Sequence, residues 1–440
     1  MDQKKYRILL TVDHKWRDLP AYAYIAELLE EKGHKVFLVR NYDEIKWLEK
    51  FAPDAVILNH IIEDRRRDWV ERLSDDIVLS ILPTEGLPVH TKYFPVIFGE
   101  ERKWYSRVDL LFSWFSSLKE FFKEEYVIDP SNIVYGGIPR FDFIYNRELF
   151  PYFKEEDIVK KTLGIDKDQK VIAFFLNFVN AATFEKDLEG WKKVLQDQGY
   201  DVERFVKLAK DDHNARECFT NTLNHLAKEF KDVCFIVKPH PNEDFSYYRE
   251  RLPGNVKLVG EYYSFEIINI SDLTIQRACT TGIEAAIMGK RSIEYDYDNP
   301  DAYPGDVFDG IWPKAKDKDE LCLFIEDFLN SDYTRWETLK ERRENIIEKY
   351  TGLNAGRASY VFVEKLIDKI AIKKKRNIRV KRIYVLFYYL EALAKDVYRT
   401  VFKDKLGRYD KVPKVKDIYL WRKKARRLIE DNNRKSEENK

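Results

Sequence analysis

Short apolar runs alternate with helical patterns along the first third of the chain. A helical pattern covers residues 22–36, with Gly33 near its end, and another apolar run follows it directly. Because strands that alternate with helices form a parallel sheet covered on both faces, the pattern predicts a Rossmann-like domain over residues 1–150. Its predicted strands cover residues 6–12, 35–39, 54–60, 76–82, 108–114 and 132–137.

A second series of apolar runs begins near residue 169, after a polar helical stretch at residues 150–168 that we interpret as a linker. The same alternation predicts a second Rossmann-like domain over residues 166–350. We therefore expect an α/β protein with two doubly wound domains facing a central cleft, and ligands at the carboxyl ends of the strands. The predicted strands of this domain cover residues 169–178, 233–238, 255–260, 271–276 and 291–296.

Residues 351–440 are predicted to form C-terminal helices. Residues 379–402 have an aromatic-rich apolar centre. Residues 417–432 place five apolar side chains on one helical stripe, namely Ile418, Trp421, Ala425, Leu428 and Ile429. Cations face largely elsewhere, namely Arg422, Lys423, Arg426 and Arg427. This pattern favours an amphipathic helix on anionic lipid, and the alternative is a helical pair packed on the body with solvated charges.

Charge is unevenly distributed along the chain. The formal net charge is +1 at pH 7, yet residues 371–440 carry 23 Lys/Arg and 9 Asp/Glu. The C-terminal segment is therefore basic and the remainder acidic. Since no recognised nucleic-acid module accompanies the basic segment, we expect an anionic membrane surface as its partner, and no nucleic acid.

The cysteines indicate the compartment. They are widely separated and lack the spacing of metal or redox sites, which is typical of reduced thiols in a cytosolic protein: Cys218, Cys234, Cys279 and Cys322. The sequence shows no signal-peptide pattern and no apolar stretch of about 20 residues. We expect a cytoplasmic protein that is peripherally associated with the inner face of the cell membrane.

The clearest candidate chemistry follows the apolar run that ends at residue 238. There the sequence reads Lys238-Pro239-His240-Pro241, so a cation and an imidazole stand on a stiff turn at a strand end. These groups can hold phosphate oxygens, with His240 donating from one ring nitrogen. The alternative is a structural turn with a capping histidine.

A second candidate site precedes the helical run that ends at Gly289. Thr280, Thr281 and Gly282 stand at its start, where hydroxyl and free N–H groups form a ready phosphate site. Glu284 in the first turn could reach a ribose hydroxyl. The alternative is a plain threonine N-cap. Both sites follow plausible neighbouring strands, so we expect one donor-nucleotide site.

Three loops of the first predicted domain carry further candidates. Glu85 follows the strand at 76–82 and could be a general base for an acceptor hydroxyl, or an exposed turn residue. Lys15 and Arg17 follow the first strand, and Arg140 lies in the stretch GIPRFD. These cations are candidate cleft or acceptor contacts, with a solvated loop as the alternative. No Walker, GxGxxG, HExxH or GxSxG motif is present, and we expect neither a metal nor a cofactor.

The stretches KPHPNE, RACTTGIEAAIMGK and GIPRFD resemble bacterial and archaeal surface carbohydrate biosynthesis proteins, over about residues 5–365. The resemblance implies a GT-B glycosyltransferase architecture. The wider group with a His-Pro motif includes sialyl- and Kdo-transferases that use CMP-sugars, and CDP-glycerol glycerophosphotransferases. It implies that His240 contacts the donor phosphate, that Thr280 and Thr281 form the hydroxyl motif and that Glu85 is the base. Thr84 stands where a second acid is often found.

These observations predict a metal-independent glycosyltransferase of cell-surface polysaccharide synthesis. Its donor would be a nucleotide sugar, with a CMP-activated sugar among the candidates, and its acceptor would be lipid-linked or a glycan. Three alternatives stay open at this point: a CDP-glycerol-type polyol phosphotransferase, a UDP-sugar 2-epimerase and a non-catalytic membrane-associated scaffold.

Overall fold

The computed structural model describes residues 5–41, 43–61, 64–84, 103–114, 128–197, 201–277, 279–295, 308–373, 382–401 and 412–438. These residues form two compact units. The first contains the described residues up to Tyr152 together with those from Glu348 onward, and the second contains those from Phe153 to Ile347. The segment 351–440, predicted as a separate region, therefore clusters with the first unit.

The first unit is built on a six-stranded parallel sheet with strand order β2-β1-β3-β4-β5-β6. Its strands are β1 (Arg7–Val12), β2 (Lys35–Arg40), β3 (Ala55–Leu58), β4 (Val78–Ile81), β5 (Leu110–Ser113) and β6 (Ile133–Tyr135). In the described residues up to Tyr152, its α-helices are α1 (Leu19–Glu31), α2 (Asp43–Phe51), α3 (Asp64–Glu71) and α4 (Asp142–Tyr145). Short 3₁₀ helices cover Lys103–Arg107, Pro130–Asn132, Pro139–Phe141 and Arg147–Tyr152. Strands β1, β3, β4 and β5 are almost wholly buried, as expected of a parallel sheet with covered faces.

The second unit contains another six-stranded parallel sheet, with strand order β12-β11-β10-β7-β8-β9. Its strands are β7 (Val171–Phe175), β8 (Cys234–Lys238), β9 (Val256–Leu258), β10 (Leu273–Gln276), β11 (Arg291–Tyr295) and β12 (Lys314–Ala315). Its helices are α5 (Glu156–Leu163), α6 (Ala181–Lys186), α7 (Leu188–Asp197), α8 (Val202–Glu229), α9 (Phe245–Arg251), α10 (Ser264–Ile270), α11 (Thr280–Ile287), α12 (Lys318–Leu329) and α13 (Thr334–Glu337). Apolar clusters cover both faces of this sheet.

The remaining helices of the described residues are α14 (Lys340–Thr351), α15 (Ala358–Ile372), α16 (Arg382–Val401) and α17 (Val415–Glu438). Asp142 caps α15, because its carboxyl oxygens accept the backbone N–H groups of Ala358 at 2.9 Å and Ser359 at 2.7 Å. Burial raises the pKa of Asp142 to about 7, against the hydrogen bonds from residues 358 and 359.

The predicted α/β class with two doubly wound sheets is confirmed. Every strand expected from the apolar runs corresponds to one of β1 to β11. The strand that was missed, β12, has only two residues, Lys314 and Ala315, which is too short to leave a pattern in the sequence.

The prediction that the apolar stripe of α17 faces lipid is wrong. The five stripe residues are buried, with Ala425 fully so. They pack along α1, which is itself buried over most of its length. Glu27 of α1 accepts hydrogen bonds from Arg422 at 2.6 Å and from Arg426 at 2.9 Å. The stripe therefore serves the core of the first unit, which was the alternative interpretation.

Candidate functional site

Three neighbouring strands of the second unit end at the same level. Phe175 at the end of β7 pairs with Lys238 of β8 on one side and with Gln276 of β10 on the other. Because the strands are parallel, the loops that follow them leave the same edge of the sheet. The turn with His240 and the segment leading to Thr280 therefore leave the same edge of the sheet. The prediction that their strands are neighbours is wrong, because β7 lies between β8 and β10.

The ring of His240 is held by its own turn. The backbone N–H of Asn242 donates to His240 Nδ1 at 3.2 Å. In the neutral ring this places the proton on Nε2, which becomes the donor nitrogen. The backbone N–H of His240 donates to Glu243 Oε1 at 2.8 Å, and the N–H of Glu243 returns a bond to the His240 carbonyl at 2.8 Å. The turn is thus closed from both sides.

Glu243 is a site residue that the sequence reasoning missed. Its side chain is fully buried, and its second carboxyl oxygen accepts the hydroxyl of Tyr248. Burial raises the pKa of Glu243 to about 7, while the hydrogen bonds from Tyr248 and from the His240 backbone act in the opposite direction. The signal that could have found it is spacing, since Glu243 stands three residues after His240, where a carboxylate can cap a turn.

Lys238 does not direct its ammonium group into open space. Its Nζ donates to the carbonyl of Tyr262 at 2.6 Å, and the side chain is buried. Burial lowers the pKa of Lys238 to about 8, with Glu266 and Glu284 acting to raise it. Glu284 is likewise buried, at 2% exposure. The structure therefore places Lys238 and Glu284 in one buried charge cluster, and their predicted contacts with phosphate and ribose stay predictions.

The hydroxyl motif stands at the start of α11. The helix begins at Thr280, and both Thr280 and Thr281 are half-buried there. Cys279 precedes it in an extended conformation, with its N–H donating to the side-chain oxygen of Gln276 at 2.6 Å. The end of β10 thereby fixes the helix N-terminus, where free N–H groups favour an anion.

Gly282 is closely packed in the first turn of α11. A Cβ atom at this position would lie 3.0 Å from the ring of Trp312 and 3.2 Å from the side chain of Gln276. Gly282 therefore has a steric role that the sequence did not reveal, in addition to its predicted place in the phosphate site.

Arg277 is a second residue that sequence reasoning missed. It directly follows β10, is 5% exposed, and donates from Nη1 to Asp212 Oδ1 at 3.2 Å and to Asn177 Oδ1 at 3.3 Å. Asp212 also accepts the backbone and side-chain N–H groups of Asn180, at 3.2 and 3.1 Å. Burial raises the pKa of Asp212, and the charge of Arg277 opposes that shift. This network ties the loops after β7 and β10 to helix α8.

The first unit carries its own polar cluster at the ends of β1 and β4. Arg17 donates from Nε to Asp18 Oδ1 at 2.6 Å and from Nη2 to Thr84 Oγ1 at 3.1 Å. Burial raises the pKa of Asp18, and the charge of Arg17 is the largest opposing influence. The predicted candidate Arg17 thus connects two loops of the sheet edge.

The other predicted residues of this unit do not join this cluster in the same way. The guanidinium of Arg140 lies 5.0 Å from the ring of Phe141 and 5.7 Å from that of Trp114. Lys15 pairs with Asp417 of α17 at 3.5 Å, so it supports the C-terminal helix. Glu85 lies outside the described residues, and its role as a base stays a prediction.

A small pocket lies beside this polar cluster. Its walls are mostly apolar, and the charged or polar residues among them are Asp18, Arg140 and Thr84. Trp114 forms one wall and donates from Nε1 to the carbonyl of Pro83 at 3.1 Å. Mostly apolar walls with a few polar groups are also the type of lining that small-molecule sites have.

Two features are absent from the part of the chain that the structure describes. No helix there is long and apolar enough to span a bilayer. No cluster of three His, Cys, Asp or Glu side chains there is arranged to hold a metal ion.

Residues 90–277 match the family model described as CDP-Glycerol:Poly(glycerophosphate) glycerophosphotransferase. The match includes the His240 turn and ends at Arg277. No curated protein is similar to the chain in sequence.

Solved structures share the fold. The wall teichoic acid polymerase TagF, an H444N variant soaked with CDPG, matches at 15% identity and a TM-score of 0.54, covering 83% of this chain and 89% of TagF. A UDP-N-acetylglucosamine 2-epimerase of Listeria monocytogenes, described as putative, matches at 12% identity and a TM-score of 0.53, covering 85% of this chain and 100% of the epimerase. The UDP-GlcNAc 2-epimerase of Neisseria meningitidis matches at 13% identity and a TM-score of 0.51, covering 82% and 100%. The resemblance to GT-B proteins is therefore confirmed for the fold.

Proposed function

We propose that the protein is a transferase of cell-surface polymer synthesis that uses a cytidine-nucleotide donor, with a CDP-polyol as the donor class. The observation that carries the proposal is the hydrogen bond from Asn242 N–H to His240 Nδ1, which in the neutral ring places the proton on Nε2 and makes Nε2 the nitrogen that can donate to phosphate. The family match over residues 90–277 supports the choice of a CDP-linked donor.

In this proposal an acceptor hydroxyl attacks the β-phosphorus of the donor. A new P–O bond forms, and the bond to the leaving CMP breaks. The charge that develops on CMP is stabilised by His240 and by the N-terminus of α11 at Thr280 and Thr281. The proton of the acceptor goes to a general base, for which Glu85 is the candidate from the sequence.

Glycosyl transfer from a CMP-sugar is the second form of the same proposal. There the hydroxyl attacks the anomeric carbon, but the leaving group is again CMP. The site around His240 serves both reactions, since it acts on the leaving phosphate alone. A lipid-linked or glycan acceptor fits both, and we place the protein at the cytoplasmic side of the membrane in either case.

A UDP-sugar 2-epimerase is a separate candidate. It is favoured by one observation, the fold similarity to two epimerases over their full length. An epimerase would bind UDP and would have no polymeric acceptor.

Thermal unfolding with CMP, CDP, UDP, GDP and ADP, with and without EDTA, separates these candidates. A ligand that binds only the folded state stabilises it by about 2.7 kcal/mol at 100 times its dissociation constant. We expect stabilisation by CMP or CDP that is insensitive to EDTA and is lost in His240→Ala. His225→Ala, in α8 of the same unit, is the matched histidine control.

The other outcomes have definite meanings. A response to UDP alone assigns the protein to the epimerases. A response that EDTA abolishes contradicts the metal-independent leaving-group site. No response to any nucleotide, from a protein that still unfolds cooperatively, supports the non-catalytic scaffold.

A further inference from the structure

Exposed large apolar side chains are concentrated on two helices of the first unit. Thirteen such side chains are exposed among the described residues, and nine of them lie in α16 and α17. Those in α16 are Leu386, Phe387, Tyr389, Leu390, Leu393, Val397 and Tyr398, and those in α17 are Tyr419 and Leu420. A concentration of this kind marks a surface that is covered by a partner.

The residues of α16 form a continuous stripe. Leu386, Leu390, Leu393 and Val397 follow one another at helical spacing, and their exposed fractions are 56%, 53%, 53% and 59%. On a helical wheel, the charged residues of this span fall away from the stripe: Glu391, Lys395 and Asp396. Between Leu386 and Val397 the helix therefore offers solvent an apolar face.

The opposite face of α16 holds the helix in place. Tyr388 is buried, packs edge-on against Trp47 and Phe51, and accepts the backbone N–H of Arg40 at 3.3 Å. Asp396 pairs with the guanidinium of Arg40 at 2.6 Å. The direction in which the stripe points is thus set by the core of the unit.

Cations accompany the apolar face. In α17 the exposed positions near Tyr419 and Leu420 include Lys416, Lys423 and Arg427. In the sequence, residues 372–382, which lead into α16, contain seven Lys/Arg. Basic side chains contribute about 1 kcal/mol each near an anionic lipid surface, and aromatic and aliphatic side chains add insertion into the interface.

We propose that the outward stripe of α16, together with Tyr419 and Leu420 of α17, docks on the surface of an anionic bilayer. We call these residues the α16 face. The charge argument favours lipid over a second copy of the chain, because two copies joined here would bring two basic segments together. The proposal rests on the proposed function for its purpose, since a lipid-linked acceptor lies at such a surface.

The test is sedimentation of the full-length protein with vesicles of phosphatidylcholine, with and without phosphatidylglycerol. We expect binding that requires phosphatidylglycerol. The double variant Leu390→Glu/Val397→Glu should reduce the partition coefficient at least about tenfold, because it places two charges in the apolar face. The matched control is Ile158→Glu/Leu323→Glu, which changes two exposed apolar residues of the second unit.

A second pair of variants tests the electrostatic part. Lys423→Gln/Arg427→Gln should weaken binding to the anionic vesicles about 30-fold, since each cation contributes about 1 kcal/mol and a factor of ten corresponds to about 1.4 kcal/mol. Absence of binding by the wild type, or unchanged binding by Leu390→Glu/Val397→Glu, overturns the proposal. A wild-type dimer that the same double variant converts to a monomer, without vesicle binding, assigns the face to a second copy.

The experiments distinguish failure of the lipid-docking proposal from failure of the proposed function. Vesicle binding needs no turnover and no nucleotide, whereas the stabilisation by CMP or CDP needs no lipid. Retention of the nucleotide response in Leu390→Glu/Val397→Glu also shows that the variant is folded.

Discussion

The carboxyl group of Glu243 accepts the backbone N–H of His240 at 2.8 Å. The same carboxyl group accepts the hydroxyl of Tyr248 and has no exposure to solvent. In the proposed function His240 contacts the donor phosphate, and Glu243 positions His240 without contacting the donor itself. Because burial raises the pKa of Glu243 to about 7, this positioning contact titrates close to neutral pH.

Glu243→Gln is expected to change how stability depends on pH. The folded pKa of about 7 lies above the ordinary value of 4.5, so the folded state binds the extra proton and loses stability as pH rises from 4.5 to 7. Glutamine does not ionise, so the variant does not lose this stability as the pH rises. Its side-chain oxygen can still accept the His240 N–H. Relative to wild type, its free energy of unfolding should rise by roughly 3 kcal/mol between pH 4.5 and pH 8, measured by urea denaturation.

The control for this experiment is Glu229→Gln, at an exposed position near the end of α8. It should leave the difference from wild type constant with pH. A constant difference for Glu243→Gln as well would show that Glu243 is already ionised throughout the range, and would contradict the pKa assignment.

Arg277→Met is expected to destabilise the second unit by about 3–5 kcal/mol. The change leaves the carboxylate of Asp212 buried without its cation, and removing one partner of a buried pair has this cost. Loss of the cation also raises the pKa of Asp212 further, so the folded variant takes up a proton more readily. The destabilisation should therefore grow as the pH rises from 5 to 8, as measured by urea unfolding.

Arg277→Met/Asp212→Asn supplies the internal control. The neutral amide carries no charge to bury, so the double variant should recover much of the lost stability and show little pH dependence. If it is as unstable as Arg277→Met, the contact of the Arg277 guanidinium with the ring of Phe178, at 5.0 Å, is what the unit requires.

The strands of both sheets could be predicted from apolar runs because parallel strands are buried on both faces and need continuous apolar residues. The stripe of α17 was also recognised correctly, residue by residue. Its partner was not, since an apolar stripe looks the same whether it faces lipid or another helix. Nothing near Ile418 or Trp421 in the sequence points to α1.

The sequence predicted those parts of the candidate site that have a local sequence pattern. The proline-flanked His240 and the threonine pair before a helix are local patterns, and the sheet register brings the loops that carry them to one edge. Asp212 lies in the middle of α8, 65 residues before Arg277, and no local pattern links the two. For Lys238 the sequence predicted the position at the end of a strand. It did not predict the side of the sheet to which the ammonium group points.

Gly282→Ala is expected to destabilise the protein by about 1–3 kcal/mol and to weaken CMP or CDP binding. The new methyl group would press on Trp312 and Gln276, and overpacking of this kind displaces its neighbours. Gln276 in turn holds the N–H of Cys279. The measurements are thermal unfolding and nucleotide titration.

Gly254→Ala is the matched control, because a Cβ atom there would meet nothing within 4 Å. It should leave both stability and nucleotide affinity close to the wild-type values. Unchanged nucleotide affinity in Gly282→Ala would show that the start of α11 does not contact the donor.

Trp421 and Tyr419 are expected to separate the two roles of α17. Trp421 is 8% exposed and lies edge-on to Tyr152 at 4.7 Å, so Trp421→Ala should reduce the free energy of unfolding by about 3–5 kcal/mol. Tyr419 is 63% exposed, so Tyr419→Ala should change stability by less than about 0.5 kcal/mol yet weaken binding to anionic vesicles. If Trp421→Ala instead leaves urea unfolding unchanged and abolishes vesicle binding, the packing of α17 on α1 is not the state in solution, and the stripe faces lipid after all.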